Sequence, residues 1–335
     1  MPSRAPALVA AVLVLVLSSF AVPASAASQT SCRDLDLPVP EALAGGVVHG
    51  TLCVPGGART VLVLTPGATY NSTYWDFPYQ PDRYSFTRAM NRAGYATMNL
   101  DLLGTGRSSK NPGPLLTSTV EAAAVHRVVQ RMRGEFGRVA LAGHSLGSSI
   151  DVLEAATYGD VDALLVSGDE HRVNLLDTAE LFTTDLVPAP LDPGFTRTGY
   201  DLTQLTTATG RRYEAFHAPG VVDPEVVEVD EQTKDAFALA QAPDAIGIAI
   251  LTAYSNRITA PVLIAMGARD KYFCGFVAAT CTVRGILADE GPYYSSARSL
   301  DAFVLPTSGH DLNLSPRAAD LHTAVASWLG RVLPG

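Results

Sequence analysis

Charge is scarce in this chain of 335 residues: Asp, Glu, Lys and Arg make up 17%, against 47% hydrophobic residues. So low a charge content argues against intrinsic disorder and for a well-buried core. Lysine is reduced to Lys110, Lys234 and Lys271, and the formal net charge is −9. An acidic chain has little long-range attraction for phosphate backbones, which removes nucleic acid as an expected partner. After the first residues there is no apolar run of the about 20 residues that a bilayer-spanning helix needs, so no stable membrane insertion is expected. Internal repeats and low-complexity tracts are missing too. Cysteine is limited to Cys32, Cys53, Cys274 and Cys281. Neither pair has the C-x-x-C spacing of a zinc site, which leaves zinc as the minor alternative to disulfides.

What is present begins with the leader "MPSRAPALVAAVLVLVLSSFAVPASA". Arg4 supplies a positive start, Leu8 to Leu17 an apolar stretch, and Ala24-Ser25-Ala26 a small-residue cleavage site. This layout predicts a signal peptide over 1–26 and a secreted, extracellular mature chain over 27–335, with an uncleaved anchor as the alternative. In that oxidising compartment, four cysteines allow three connectivities. Local pairing, Cys32 with Cys53 and Cys274 with Cys281, is the one expected.

Buried strands are expected at "VVHGTLCVP", "TVLVLTP", "YATMNLD", "RVALAGH", "DALLVSG", "PVLIAMG" and "AFVLPTS". Runs that are apolar throughout suit a parallel sheet covered on both faces. Helical patterns alternate with them: "SFTRAMNRAG", "TSTVEAAAVHRVVQRMRG", "SSIDVLEAATYG" and "SPRAADLHTAVASWLG", the last with Ser315 as N-cap and Pro316 at its first position. The alternation predicts an α/β fold with a doubly wound, mostly parallel sheet. Residues 169–256 break the rhythm with turn-rich, acidic and helical pieces, and are read as a helical cap inserted between two strands.

The chemistry gathers at the strand ends. In "GHSLG", Ser145 stands between an apolar strand and a helical segment, with Gly143 and Gly147 keeping side chains out of a sharp turn. A serine placed there projects its hydroxyl as a nucleophile, which needs a base. His310, in the loop after the last strand, supplies it. An acid must then orient the imidazole, and Asp270, beyond the end of "PVLIAMG", is the candidate ahead of Asp169, which follows "DALLVSG". Asp311 is expected to face solvent. An oxyanion needs donors, for which the backbone N–H groups of Leu146 and Ala68 are the candidates. The aromatic cluster "YWDFPY" and its neighbours, Tyr70, Tyr74, Trp75 and His144, read either as ordinary packing or as an apolar wall for the substrate.

These features resemble the α/β-hydrolase superfamily over most of the mature chain. "DLLGTGRSS" is similar to its D-x-x-G-x-G-x-S stretch, while Pro66-Gly67 stands where His-Gly is usual. A serine nucleophile is unlike the aspartate of dehalogenases and epoxide hydrolases, and "GHSLG" differs from the "GGSWG" of proline iminopeptidases. The resemblance implies a monomeric carboxylic ester hydrolase needing no metal or cofactor and acting on a small ester or lactone with an apolar group. Lactonase, thioesterase, peptidase, or a non-catalytic binding protein on the same fold are the alternatives.

Overall fold

The computed structural model describes Met1 and residues 30–40, 42, 45–247, 252–275 and 280–334. Apart from Met1, the expected leader lies outside the described residues.

The first half of the chain alternates as the apolar runs require. It forms β1 (Ser31–Pro38), β2 (Val47–Val54), β3 (Thr60–Thr65), α1 (Pro81–Tyr84), α2 (Phe86–Arg92), β4 (Ala96–Asp101), α3 (Ser118–Arg133), β5 (Arg138–His144), α4 (Leu146–Tyr158) and β6 (Ala163–Ser167). After an insert come β10 (Val262–Gly267), α9 (Val283–Glu290), β11 (Leu300–Leu305) and α10 (Ala318–Val332). Eight strands make one sheet in the order β1-β2-β4-β3-β5-β6-β10-β11. From β4 to β11 every pairing is parallel; β1–β2 and β2–β4 are antiparallel. Strands β3, β4, β6 and β10 are buried at every position, as helices on both faces demand. This is the α/β-hydrolase fold.

Three departures from expectation have physical causes. Strand β1 is exposed along most of its length and carries Arg33, Asp34 and Asp36, so it has no apolar run to announce it. Helix α10 starts at Ala318, later than Ser315 suggests, because residues 312–314 form a separate 3₁₀ turn. The Ser315 hydroxyl instead accepts from the Arg317 N–H at 3.3 Å. The insert between β6 and β10 is not only helical. It holds α5 (Leu175–Glu180), α6 (Arg212–Phe216), α7 (Pro224–Thr233) and α8 (Gln241–Ile246), but also β7 (Leu186–Pro188), β8 (Gln204–Thr207) and β9 (Phe237–Ala238). These three strands form a small antiparallel sheet. At two to four residues each, they are too short to display a periodicity.

Both local disulfides are present. Cys32 and Cys53 face each other in the β1–β2 register, 21 residues apart in sequence, and Cys274 and Cys281 close a loop with a separation of 7. The chain entropy that a cross-link removes from the unfolded state grows with loop length, a stabilisation of about 3.4 kcal/mol for the first and about 2.5 kcal/mol for the second. Replacing each pair with alanine should therefore lower the unfolding free energy extrapolated to water in that order, with a steeper urea slope as the unfolded chain expands. A larger loss for the Cys274–Cys281 pair would contradict the entropic account.

Candidate active site

The site is built where β5 turns into α4. Ser145 holds φ 52 and ψ −124, a conformation that L-residues rarely adopt. Its N–H donates to the Ser167 carbonyl at 2.7 Å, fixing the turn to the end of β6. The turn also presses against the end of β3. A Cβ at Gly147 would lie 2.4 Å from the carbonyl oxygens of both Thr65 and Pro66, so only glycine fits. This crowding pushes the Ser145 side chain up and out of the sheet.

His310 meets it there. The Ser145 hydroxyl donates to His310 Nε2 at 2.8 Å, and His310 Nδ1–H donates to Asp270 Oδ2 at 2.8 Å. Asp270 is fully buried, and its other oxygen accepts from the Tyr272 N–H at 2.9 Å, which fixes the carboxylate plane. Burial of His310 works against its protonated form, yet the charge and hydrogen bond of Asp270 outweigh it and raise the imidazole pKa above its ordinary value. Asp169, the rival acid, is engaged elsewhere and accepts from the Ser149 hydroxyl at 2.7 Å.

The loop after β3 lies against the nucleophile. A Cβ on Gly67 would approach the Cβ of Ser145 to 3.2 Å, and Ala68 and Leu146 line the same cavity as Ser145. The D-x-x-G-x-G-x-S stretch explains how this loop is held. Asp101 accepts from the Ser72 N–H at 2.9 Å and from the Arg107 N–H at 2.8 Å. Gly106 has φ +47, and any Cβ there would strike the Asp101 carboxylate. The motif is thus a clamp between the turn after β4 and the segment that follows Ala68.

Above Ser145 opens a cavity of about 140 Å³. Its walls include Val173, Leu181, Phe182, Leu186, Phe216, Phe237 and Ile246 from the insert and Phe273 from the acid loop. Tyr70 and His144 also line it, but Tyr74 and Trp75 do not. Those two correct the expected aromatic wall. Tyr74 is buried beneath it, stacked on His144 at 4.3 Å, and Trp75 packs on Phe86 in the core. Sequence shows that residues are aromatic, not which way they face.

Asp311 is the second correction: it is 2% exposed, not solvent-facing. It accepts from the Tyr70 hydroxyl and lies 3.2 Å from His144 Nε2. Close by, Arg212 is fully buried and paired with Asp230 at 3.0 Å, and His217 lies 3.3 Å from Asp230 and 3.9 Å from Asp311. Arg212 also donates to the Thr69 hydroxyl at 3.1 Å, and its guanidinium sits 4.2 Å over the Tyr70 ring. The charge of Asp230 keeps Arg212 protonated despite its burial. For Asp311, burial favours the neutral acid, but the His144 bond and the His217 charge hold its pKa below the usual range. Sequence reasoning missed this network because nothing local marks Arg212, whose partners lie on distant segments.

Against known proteins, the chain matches the family described as "Alpha/beta hydrolase family" over residues 62–319. Among curated proteins, no sequence matches it. Solved structures agree in fold. A thermophilic esterase from Thermogutta terrifontis is 17% identical and superposes with a TM-score of 0.57, covering 90% of this chain and 99% of its own. A serine hydrolase involved in carbazole degradation is 15% identical at a TM-score of 0.57, covering 90% and 100%. Est1E from Butyrivibrio proteoclasticus, solved with ferulic acid bound, is 15% identical at a TM-score of 0.56, again covering 90% and 100%. At such identities the likeness is one of fold. Taken with the family match, which runs from β3 into α10, it makes the chain a member of the alpha/beta hydrolase family.

Proposed function

We propose that this protein is an exported serine hydrolase of carboxylic esters. The reading rests on one observation, the unbroken hydrogen-bonded line Ser145–His310–Asp270 with its serine end in an apolar cavity. Ser145 Oγ attacks the ester carbonyl while His310 Nε2 takes its proton, and Asp270 stabilises the imidazolium that forms. The N–H groups of Leu146 and Ala68 stabilise the oxyanion. Collapse of the tetrahedral intermediate returns the proton from His310 to the leaving alcohol and leaves an acyl-Ser145. Water, deprotonated by His310, then attacks the acyl carbonyl, and as the second tetrahedral intermediate collapses His310 returns that proton to Ser145 Oγ and the acid is released. The leader pattern and the two disulfides support export.

Ser145→Ala should lower turnover of p-nitrophenyl esters by at least about 10⁴-fold, since removing a triad serine costs more than that elsewhere. Fluorophosphonate labelling should vanish with it while the thermal midpoint holds. Persistent labelling of the variant would move the nucleophile to another serine.

Asp270→Asn should cost at least about 10²-fold in kcat, because an Asn partner favours the wrong imidazole tautomer. The pH profile gives a second reading. Only neutral His310 accepts a proton, so kcat/KM should climb with pH through a midpoint above the 6.5 of an ordinary histidine. Asp270 is what raises that midpoint, so Asp270→Asn should shift it downward. An unmoved midpoint would mean that the acid limb reports another group.

A further inference from the structure

The cavity wall carries one acid that the proposed mechanism leaves idle. Asp169 follows β6, lines the cavity and is 7% exposed. Its Oδ2 is taken by the Ser149 hydroxyl at 2.7 Å, which leaves Oδ1 for a ligand. Ser149 also lines the cavity and lies four residues beyond Ser145 on α4. Ser145, Ser149 and Asp169 therefore face one and the same cavity. Among the described residues that line this cavity there is neither lysine nor arginine.

A carboxylate in an apolar wall with no lysine or arginine beside it is costly to keep charged. Burial, aided by the charge of Glu290, raises the Asp169 pKa to about 7, with the Ser149 bond and the charges of His171 and His310 pulling the other way. At mildly alkaline pH the cavity therefore contains a negative charge that no lysine or arginine among its described lining residues answers, His310 being the lining residue whose charge acts on it. A hydroxyl on the ligand would answer the hydrogen bond but not the charge.

We propose that Asp169 anchors a cationic nitrogen of the substrate, so that the preferred ester carries a protonated amine a short apolar spacer away from the scissile carbonyl. The inference rests on reading this cavity as the substrate pocket. It places Asp169 as a specificity-determining residue, one that pairs with the ligand and takes no part in proton transfer at Ser145.

Direct binding tests it without requiring turnover. Calorimetric titration of the intact protein at pH 8 with n-butylammonium, n-butanol and butyrate compares one chain length in three charge states. The ammonium should bind at least about tenfold more tightly than the alcohol, as a charge-assisted hydrogen bond in a dry site allows, and butyrate should bind most weakly. In Asp169→Asn the ratio of ammonium to alcohol affinity should collapse to within about threefold. Should that variant not fold, Asp169→Ser serves for the same comparison. Equal affinity of the intact protein for ammonium and alcohol overturns the proposal, as does a preference that survives removal of the carboxylate. If esters are not hydrolysed but the ammonium preference stands, the catalytic reading falls and the anchor remains. If hydrolysis stands without the preference, the anchor alone falls.

Discussion

The strained backbone at Ser145 is the constraint from which the rest of the site follows. A non-glycine residue held in so sparsely populated a region costs on the order of 1–3 kcal/mol and persists only where its surroundings over-determine it. Here they do. The Ser145 N–H is bonded to the end of β6, and the first turn of α4 is wedged against the end of β3. Because β5 lies between β3 and β6, the turn is gripped from both neighbouring strands. The hydroxyl is thereby fixed above the sheet edge where β10 and β11 deliver the loops of Asp270 and His310.

The electrostatics follow from that placement. Two histidines lie at the heart of the site, their ring centres 5.0 Å apart, and burial disfavours charge on both. Asp270 compensates for His310 and raises its pKa. For His144 burial wins over the Asp311 bond, so its pKa falls. Neighbouring imidazoles thus differ in protonation behaviour because one carboxylate prevails against desolvation and the other does not. The first is poised to carry a proton, whereas the second remains a neutral spacer between Tyr74 and Asp311.

Legibility in the sequence tracked how local each signal was. Strands β3 to β6 and β10 were readable because burial on both faces leaves an unbroken apolar run. Strand β1 was not, because its exposed edge tolerates charge, and β7 to β9 are too short to show a pattern. Ser145, Asp270 and His310 each sit just beyond a recognisable strand, so strand order alone suggested their meeting. Arg212, Asp230 and Asp311 had no such marker, because only folding brings their segments together. For Tyr74 and Trp75 the sequence left packing and pocket wall both open, because composition carries no direction.

The buried Arg212 network has a consequence for what counts as one unit of this protein. Arg212, His217 and Asp230 belong to the insert between β6 and β10, whereas Thr69, Tyr70 and Asp311 belong to the loops that shape the site. Separating the two would keep the Arg212–Asp230 pair but break the Arg212–Thr69 and Tyr70–Asp230 hydrogen bonds and the His217–Asp311 contact, and each buried polar group left without its partner costs about 1–3 kcal/mol. Sheet and insert are therefore coupled through this shared interior, and neither side's geometry is a property of that side alone. An insert exchanged on its own would lose the hydrogen bonds it shares with the loops of the sheet. A transplant would have to carry the residues at 69, 70 and 311 along with it, as a single inherited part.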